Sequence, residues 1–391
     1  MNLLEEKIRR DIPEIFNEKK LIKQHLDRLI CIINNTIIPP YEIIIQPSSV
    51  CNLRCMWCIG KNIDEYTNKL MDQRLSNVDS MLKMIKGIID YKKDIRYEDN
   101  EIRNYKVEKI QFSGLTGEPL VCKEPILAAM RELVKNDRQV GMFTNGILMD
   151  ESTWETLIDT NYVLVSVDAG QGATYNSMKY PDSNDDIIGK VHSNINGLIK
   201  LRNRRQSNLD VNAGFVINPD NYKELYMAAK NLKDIGIHYL RIKTDISSTY
   251  NLSSDQIKES EEILQETKLK LEDDYFKIIE IHKIYDNDAK KRNFSKCYMN
   301  SIMSAISADG EMYPCNYQTK IGRQPYGNVI DKPFGDVFEM KIERDLRYKI
   351  PENCPKVCDP FKNRSNRLFE IVEGIYHEYG LEALKAYIRE L

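Results

Sequence analysis

The sequence predicts an α/β protein built on a partial (β/α)6 TIM-like barrel, with helices before the barrel and a cysteine-rich segment after it. Two observations carry this prediction. Short apolar runs alternate with amphipathic stretches between residues 41 and 245, as is typical of parallel strands joined by helices. Most of the nine cysteines fall into two groups, one directly after the first apolar run and one in the last hundred residues.

Length, composition and charge limit the class of protein. The chain has 391 residues, of which 42% are hydrophobic, enough to bury a sizeable core. Its 56 basic residues nearly balance its 59 acidic ones, so there is no electrostatic indication of nucleic-acid binding. The amino terminus mixes acids and bases with apolar residues, unlike a signal peptide. The longest apolar tract, residues 29–38, is too short to span a bilayer. We predict a soluble, cytoplasmic protein with no nucleic-acid or membrane partner.

The order of the predicted elements follows from hydrophobic spacing and from proline positions. Residues 1–38 predict polar helices that end at Pro39 and Pro40. The predicted strands are residues 41–46, 109–112, 139–143, 162–167, 211–217 and 239–243. The predicted helices are residues 77–91, 124–135, 151–159, 187–202, 222–235, 253–271 and 366–390. The charged stretch 94–106 predicts a solvated surface insertion.

These elements divide the chain into four predicted segments. Residues 1–40 are a helical segment, 41–250 the partial barrel, 251–296 a helical linker, and 297–391 a cysteine-rich domain that ends in a helix. An Asp-Gly pair at residues 309–310 lies between alternating apolar residues. This pattern predicts a hairpin that places Cys315 at the end of a strand.

The first cysteine group is the string Cys51-Asn-Leu-Arg-Cys55-Met-Trp57-Cys58, directly after the first strand. Three thiolates on one loop can ligate three corners of a [4Fe–4S] cluster and leave one iron open for chemistry. The alternative is a zinc loop. Zinc sites require four ligands, and no nearby cysteine or histidine completes such a set.

The C-x3-C-x-aromatic-C pattern resembles the signature of the radical SAM superfamily. Further strings at the ends of successive predicted strands resemble the same family: Gly117-Glu118-Pro, Thr144-Asn145-Gly, Ser166-Val-Asp168 and Ile217-Asn218. Each of these strings is weak alone. Their order agrees with the rule that barrel active sites are built at the carboxyl ends of strands.

The resemblance implies a site for S-adenosylmethionine (SAM) beside a [4Fe–4S] cluster bound by Cys51, Cys55 and Cys58. The SAM-binding residues it implies are Trp57, Gly117, Glu118, Thr144, Asn145, Ser166, Asp168, Ile217 and Asn218. Trp57 is equally well explained as a core aromatic residue. One electron, from a low-potential donor such as flavodoxin or ferredoxin, would cleave SAM to a deoxyadenosyl radical. That radical would remove a hydrogen atom from the substrate.

The second cysteine group consists of Cys297, Cys315, Cys354 and Cys358. With the surrounding Gly-x4-Cys and Tyr-Gly-Asn-Val strings, it resembles the SPASM/twitch extension of radical SAM enzymes. The four cysteines match the shorter twitch form, which implies one auxiliary [4Fe–4S] cluster. A zinc knuckle with four thiolate ligands is the alternative.

Three further residues are candidates for a catalytic role. Cys122 follows Glu118 closely, and radical epimerases use a thiol to return a hydrogen atom to the substrate, but free cysteines are usually packing residues. Arg241 and Lys243 alternate on one strand, so they point the same way and would hold an anionic or hydroxylated substrate group. A charge at a strand end is more often simply solvated.

The sequence is compatible with three functions. The first is oxidation of a small, sugar- or cyclitol-like molecule, with the auxiliary cluster accepting an electron. The second is crosslinking or epimerisation of a ribosomally made peptide. The roughly 40 residues before the first strand are fewer than a peptide-recognition domain usually needs, which favours the first. The third, a non-catalytic metal scaffold, does not explain three thiols next to SAM-like strings.

Overall fold

The computed structural model describes residues 17–62, 71–97, 101–115, 117–181, 185–286, 288–319 and 323–390. The first part of the predicted amino-terminal helices, residues 1–16, lies outside these ranges. Two helices open the described chain, α1 (Glu18–Gln24) and α2 (Leu26–Ile33). The Asn17 side chain accepts a 2.9 Å hydrogen bond from the Lys19 amide and so caps α1, which satisfies an amide at the helix start.

One ten-stranded sheet forms the centre of the molecule, in the order β12-β11-β10-β1-β4-β5-β6-β7-β8-β9. Its strands are β1 (Glu42–Ile45), β4 (Lys109–Phe112), β5 (Gln139–Thr144), β6 (Tyr162–Ser166), β7 (Asp210–Ile217), β8 (Tyr239–Thr244), β9 (Lys277–Glu280), β10 (Met303–Ile306), β11 (Glu311–Tyr313) and β12 (Gly327–Asn328). The run from β10 to β9 is parallel throughout. The prediction of a parallel, partial-barrel sheet is confirmed, and all six predicted strands are present.

Helices join the successive strands of this sheet along the chain. They are α3 (Ile59–Asn62), α4 (Val78–Asp90), α5 (Lys123–Lys135), α6 (Glu151–Leu157), α7 (Gly172–Lys179), α8 (Ile187–Arg205), α9 (Leu225–Ile235) and α10 (Ser254–Leu271). On α4, Met81, Ile85 and Ile88 are fully buried because their spacing places them on one side of the helix. Each such side chain contributes about 1.5–3 kcal/mol on burial.

The charged stretch forms a two-stranded hairpin of β2 (Lys92–Arg96) and β3 (Ile102–Lys106). It differs from the expected solvated insertion because one of its side chains, Tyr105, is buried. The Arg28 guanidinium of α2 lies 5.1 Å from the centre of the Tyr105 ring. The hairpin is therefore anchored to the amino-terminal helices by a cation–π contact.

The carboxyl-terminal region continues the central sheet. Strand β10 pairs in parallel with β1, with Ile306 opposite Ile45, and turns at Gly310 into β11. Gly310 has φ +86, a conformation that glycine adopts without strain. The remaining helices are α11 (Met299–Ile302), α12 (Phe334–Glu339), α13 (Lys341–Arg347) and α14 (Pro360–Glu390), the last interrupted at Gly380. Within the described ranges no helix is long and apolar enough to cross a bilayer. The division into four segments stays a prediction.

Candidate active site

A cavity of about 330 Å³ lies at the carboxyl ends of the parallel strands. It is lined by all three cysteines of the first group and by residues that follow each of β4, β5, β6 and β8. The sequence-predicted residues on its wall are Cys51, Cys55, Trp57, Cys58, Gly117, Glu118, Thr144, Asn145, Ser166, Asp168, Arg241 and Lys243. Most of the predicted site therefore shares one cavity.

The cysteine loop is fixed by backbone hydrogen bonds to the end of α7. The Arg54 amide donates to the Lys179 carbonyl at 2.9 Å, and the Met56 amide donates to the Met178 carbonyl at 3.2 Å. The Cys58 amide donates to the carbonyl of Cys55 at 3.2 Å, which tightens the loop between these two thiols. The loop thus holds its thiols at the cavity wall without a regular element of its own.

The chemistry of these thiols suits a metal cluster. Burial raises the pKa of Cys51, and burial raises the pKa of Cys55 to about 12. Such thiols stay protonated at neutral pH unless a bound cation stabilises the thiolate. Three thiols at one cavity, with the Glu118 and Asp168 carboxylates on the same wall, therefore fit a cluster together with SAM.

The Gly117-Glu118 segment packs tightly against the start of the cysteine loop. A β-carbon on Gly117 would lie 2.0 Å from the Ser48 carbonyl oxygen, so glycine is required there. The Glu118 carboxylate accepts hydrogen bonds from the Thr144 hydroxyl at 2.5 Å and from the Asn145 amide at 2.8 Å. Burial raises the pKa of Glu118, although these hydrogen bonds lower it. Glu118 thus joins the ends of β4 and β5.

Asp168 connects the end of β6 to its neighbours. One carboxylate oxygen lies 2.6 Å from the Lys179 ammonium, and the other accepts a 2.6 Å hydrogen bond from the Val216 amide. Burial lowers the pKa of Lys179, but Asp168, Tyr175 and Cys55 together outweigh burial, and the net shift is upward. Asp168 also has φ +55, which turns the chain sharply at the cavity.

Three predicted residues lie elsewhere. Ile217 and Asn218 are not among the residues that line the cavity. Ile217 is buried in the core on the helix-facing side of β7, and the Asn218 side chain bonds to neighbouring backbone. Side chains alternate along a strand, so Val216 occupies the wall instead. Cys122 is buried off the cavity, where its thiol donates to the Pro47 carbonyl at 3.5 Å.

The second cysteine group converges as well. Cys297, Cys315, Cys354 and Cys358 line one cavity of about 40 Å³. Burial raises the pKa of Cys297 to about 11, and burial also raises the pKa of Cys354 and Cys358. Among the described residues, no three His, Cys, Asp or Glu side chains converge on the position of a single metal ion. A cluster, by contrast, binds its thiolates at separate corners.

The sequence did not predict several residues of the cavity wall. Tyr317 lines both the large cavity, which is the one of about 330 Å³ at the strand ends, and the four-cysteine cavity of about 40 Å³. Asn316, Asp359 and Phe361 also line the large cavity. Their only signal was adjacency to Cys315 and Cys358. Lys179 gave no signal, because nothing in the sequence pairs a helical lysine with Asp168.

Comparison with known proteins identifies the class to which this site belongs. Residues 45–194 match the sequence model of the radical SAM superfamily. The matched part includes the three-cysteine loop, Glu118, the Thr144-Asn145 pair and Asp168. This part of the chain is a radical SAM domain, and the α/β fold of the chain agrees with that superfamily. No curated protein sequence matches it.

Solved structures resemble the chain over most of its length. Streptococcus suis SuiB bound to S-adenosylmethionine is 15% identical, with a TM-score of 0.54 over 85% of this chain and 68% of SuiB. The complex of SuiB with precursor peptide SuiA is also 15% identical, with a TM-score of 0.54 over 88% and 74% of the two chains. Native anSMEcpe with bound AdoMet and Cp18Cys peptide is 16% identical, with a TM-score of 0.54 over 90% and 100%. At these identities the likeness concerns the fold.

Proposed function

We propose that Cys51, Cys55 and Cys58 bind a [4Fe–4S] cluster, that SAM occupies the cavity beside them, and that the second cysteine group holds an auxiliary [4Fe–4S] cluster. When bound, the first cluster and SAM supply a deoxyadenosyl radical that removes a hydrogen atom from the substrate. The observation that carries this proposal is the single cavity shared by the three thiols, Glu118 and Asp168.

The chain's own residues position the cofactor and exclude water. The hydrogen bonds from Thr144 and Asn145 hold Glu118 at the wall, and the ion pair with Lys179 holds Asp168 there. Trp57, within the cysteine loop, is nearly buried and offers an apolar surface at the cavity wall. A buried, hydrogen-bonded wall protects a reactive radical from solvent.

We further propose that the net reaction oxidises a small molecule, sugar- or cyclitol-like in size. Abstraction of one hydrogen atom leaves a substrate radical, which must lose one more electron and one proton to become a two-electron oxidation product. The four-cysteine site would supply the electron acceptor. Its position supports this role, since Tyr317 lines both cavities. A flavodoxin or ferredoxin would supply the electron that cleaves SAM.

Peptide modification is the second candidate. It is favoured by the peptides bound to the two similar folds, SuiA on SuiB and Cp18Cys on anSMEcpe. Crosslinking or epimerisation of a ribosomal peptide would use the same radical.

The experiment is the iron, sulfide and zinc content of anaerobically purified protein, followed by SAM cleavage under dithionite. We expect about eight irons per chain and formation of deoxyadenosine. About four irons and one zinc would remove the auxiliary cluster and favour a redox-neutral reaction. Absence of deoxyadenosine from fully loaded protein would contradict the proposal.

A further inference from the structure

The wall of the four-cysteine cavity is positively charged. Besides the four thiols, two cations line this cavity, Arg292 and Lys362. No carboxylate from the described part of the chain lines it. The remaining side chains around it are mostly apolar, among them Phe294, Met299 and Met303. Two positive charges therefore border an apolar space that holds four thiols.

Arg292 lies against the loop that carries Cys354. Its guanidinium donates to the Cys354 carbonyl at 3.3 Å and to the Glu352 carbonyl at 3.4 Å. A further hydrogen bond goes to the Pro351 carbonyl. Backbone carbonyls orient a guanidinium but leave its charge in place. No ion pair joins Arg292 to an acid within the described ranges, so a full positive charge lies beside Cys354.

Lys362 lies between the two cavities. Its ammonium donates to the side-chain oxygen of Asn316 at 2.7 Å. It also lies 5.7 Å from the centre of the ring of Tyr317, which lines both cavities. Both partners are neutral, and among the residues that the structure describes Lys362 forms no ion pair.

Two acids act on the four thiols from outside this cavity. Asp345, near Cys297, forms an ion pair with Lys341. Asp359 follows Cys358 but lines the large cavity. Burial raises the pKa of Cys358, and the charge of Asp359 adds to this effect while that of Lys362 opposes it. Lys362 therefore offsets Asp359.

Arg292 has no such opponent at Cys354. Burial and the neighbouring thiols raise the pKa of Cys354, whereas the Arg292 charge and the Gln318 hydrogen bond lower it. The charges of Asp345 and Lys341 cancel at Cys297, and those of Asp359 and Lys362 cancel at Cys358. The positive charge of Arg292 is what remains.

A fixed cation affects an iron–sulfur cluster in two ways. A [4Fe–4S] cluster with four thiolate ligands is an anion, and burying an anion without a counter-charge is costly. Reduction adds one more negative charge, so a nearby cation stabilises the reduced cluster more than the oxidised one and raises the reduction potential. Apolar surroundings strengthen this effect because they screen charge weakly.

We propose that Arg292 and Lys362 are the counter-charges of the auxiliary cluster, and that they raise its reduction potential so that it accepts an electron from the substrate radical more readily. The inference rests on the proposed function, since it requires a cluster at the second cysteine group. In this step the substrate radical loses one electron, the cluster gains it, and the proton is released to solvent. Arg292 and Lys362 act on the cluster and not on the substrate, because neither lines the large cavity.

The test is an anaerobic redox titration of the holoenzyme followed by electron paramagnetic resonance. The auxiliary signal is the one that persists when Cys51, Cys55 and Cys58 are changed to Ala, and the signal of the first cluster is the internal reference. Lys362→Met and Arg292→Gln should each lower the equilibrium constant for one-electron reduction of the auxiliary cluster about tenfold. Tenfold corresponds to about 59 mV for one electron.

Charge-retaining variants separate charge from packing. Lys362→Arg and Arg292→Lys should keep most of the wild-type potential, although their packing differs. Lys291→Met is the matched control. Its side chain is 73% exposed and pairs with Asp288, so water screens its charge and the potential should stay at the wild-type value.

Iron content distinguishes the outcomes. An unshifted potential in both Lys362→Met and Arg292→Gln, with the auxiliary iron retained, would overturn the inference. So would an equal shift or an equal loss of iron in the charge-retaining variants, because packing would then be the cause. Loss of auxiliary iron from the neutral variants alone would support the counter-charge role. A wild-type chain whose second cysteine group binds no iron would refute the proposed auxiliary cluster, and the inference with it.

Discussion

The ammonium of Lys179 and the carboxylate of Asp168 lie 2.6 Å apart, and both side chains are almost fully buried, at 1% and 4% exposure. Lys179 also donates to the Ser166 carbonyl at 3.1 Å, and its own carbonyl accepts the Arg54 amide of the cysteine loop. One residue therefore links the end of β6 to the loop that carries the first three thiols.

Removal of this cation should be costly. In Lys179→Met, Asp168 remains buried without its partner, and we expect a loss of about 3–5 kcal/mol in the free energy of unfolding. Thermal unfolding measures the loss, with Lys190→Met, an exposed lysine on α8, as control. The double variant Lys179→Met/Asp168→Asn should recover part of the stability. If Lys179→Met alone unfolds like the wild type, the pair is not a structural link.

The first cysteine group should account for half of the iron. Changing Cys51, Cys55 and Cys58 to Ala should lower the iron content from about eight to about four per chain and abolish deoxyadenosine formation. Cys122→Ser is the matched control, since that buried thiol lies off both cavities, and it should keep all the iron. Deoxyadenosine made by the triple variant would refute the ligand assignment.

The second cysteine group should be required for turnover but not for SAM cleavage. In Cys354→Ala/Cys358→Ala the iron should fall to about four per chain, while dithionite still yields deoxyadenosine. When this variant is assayed with the identified substrate, it should form no product. Turnover that survives would make the second group purely structural.

A hydrogen bond to sulfur should tune the auxiliary cluster. The Gln318 amide group donates to the Cys354 sulfur at 2.9 Å. Such a bond favours the more negative, reduced cluster, so Gln318→Leu should lower its reduction potential. A difference of about 1 kcal/mol corresponds to roughly 40 mV for one electron. Redox titration followed by electron paramagnetic resonance resolves the two clusters, and a shift confined to the first cluster would contradict the prediction.

A buried histidine should make the protein sensitive to acid. His282 bonds to the Thr244 hydroxyl at 2.8 Å, and burial, with a contribution from the charge of Lys290, lowers its pKa from 6.5 to about 4. Its stabilising effect is complete above pH 6.5 and is lost as pH falls towards 4, because the unfolded chain takes up the proton first. Each pH unit in that window costs about 1.4 kcal/mol.

The expected readout is a fall in the unfolding midpoint between pH 7 and pH 5. His282→Gln should flatten this dependence, although His25, whose pKa burial also lowers to about 4, keeps part of it. His377→Gln changes an exposed histidine and should retain the wild-type slope. An unchanged slope in His282→Gln would show that another group is responsible.

Local patterns in the sequence were sufficient for six strands of the central sheet and for much of the cavity wall. Strand Lys109–Phe112 has the predicted bounds, because a buried parallel strand between turns is an apolar run that its own residues define. The three-cysteine loop and Glu118 were equally predictable from the sequence, since spacing within one loop or at one strand end is a local property.

Other contacts cannot be predicted from the local sequence. Ile217 was expected at the cavity, but the register of β7 turns it towards the helices and places Val216 on the wall. A shift of one residue reverses the facing of a strand side chain, and the sequence does not fix that register.

The sequence by itself determined six strands of the central sheet and their order along the chain, the two cysteine groups and most of the polar residues that follow those strands, because all of these depend on spacing along the chain. Only the tertiary structure decided that Lys179 neutralises Asp168, that Tyr317 borders both cavities, and that Arg241 and Lys243 face the site together with Asp359. These relationships join residues up to well over a hundred positions apart, and only packing of the complete sheet brings them into contact.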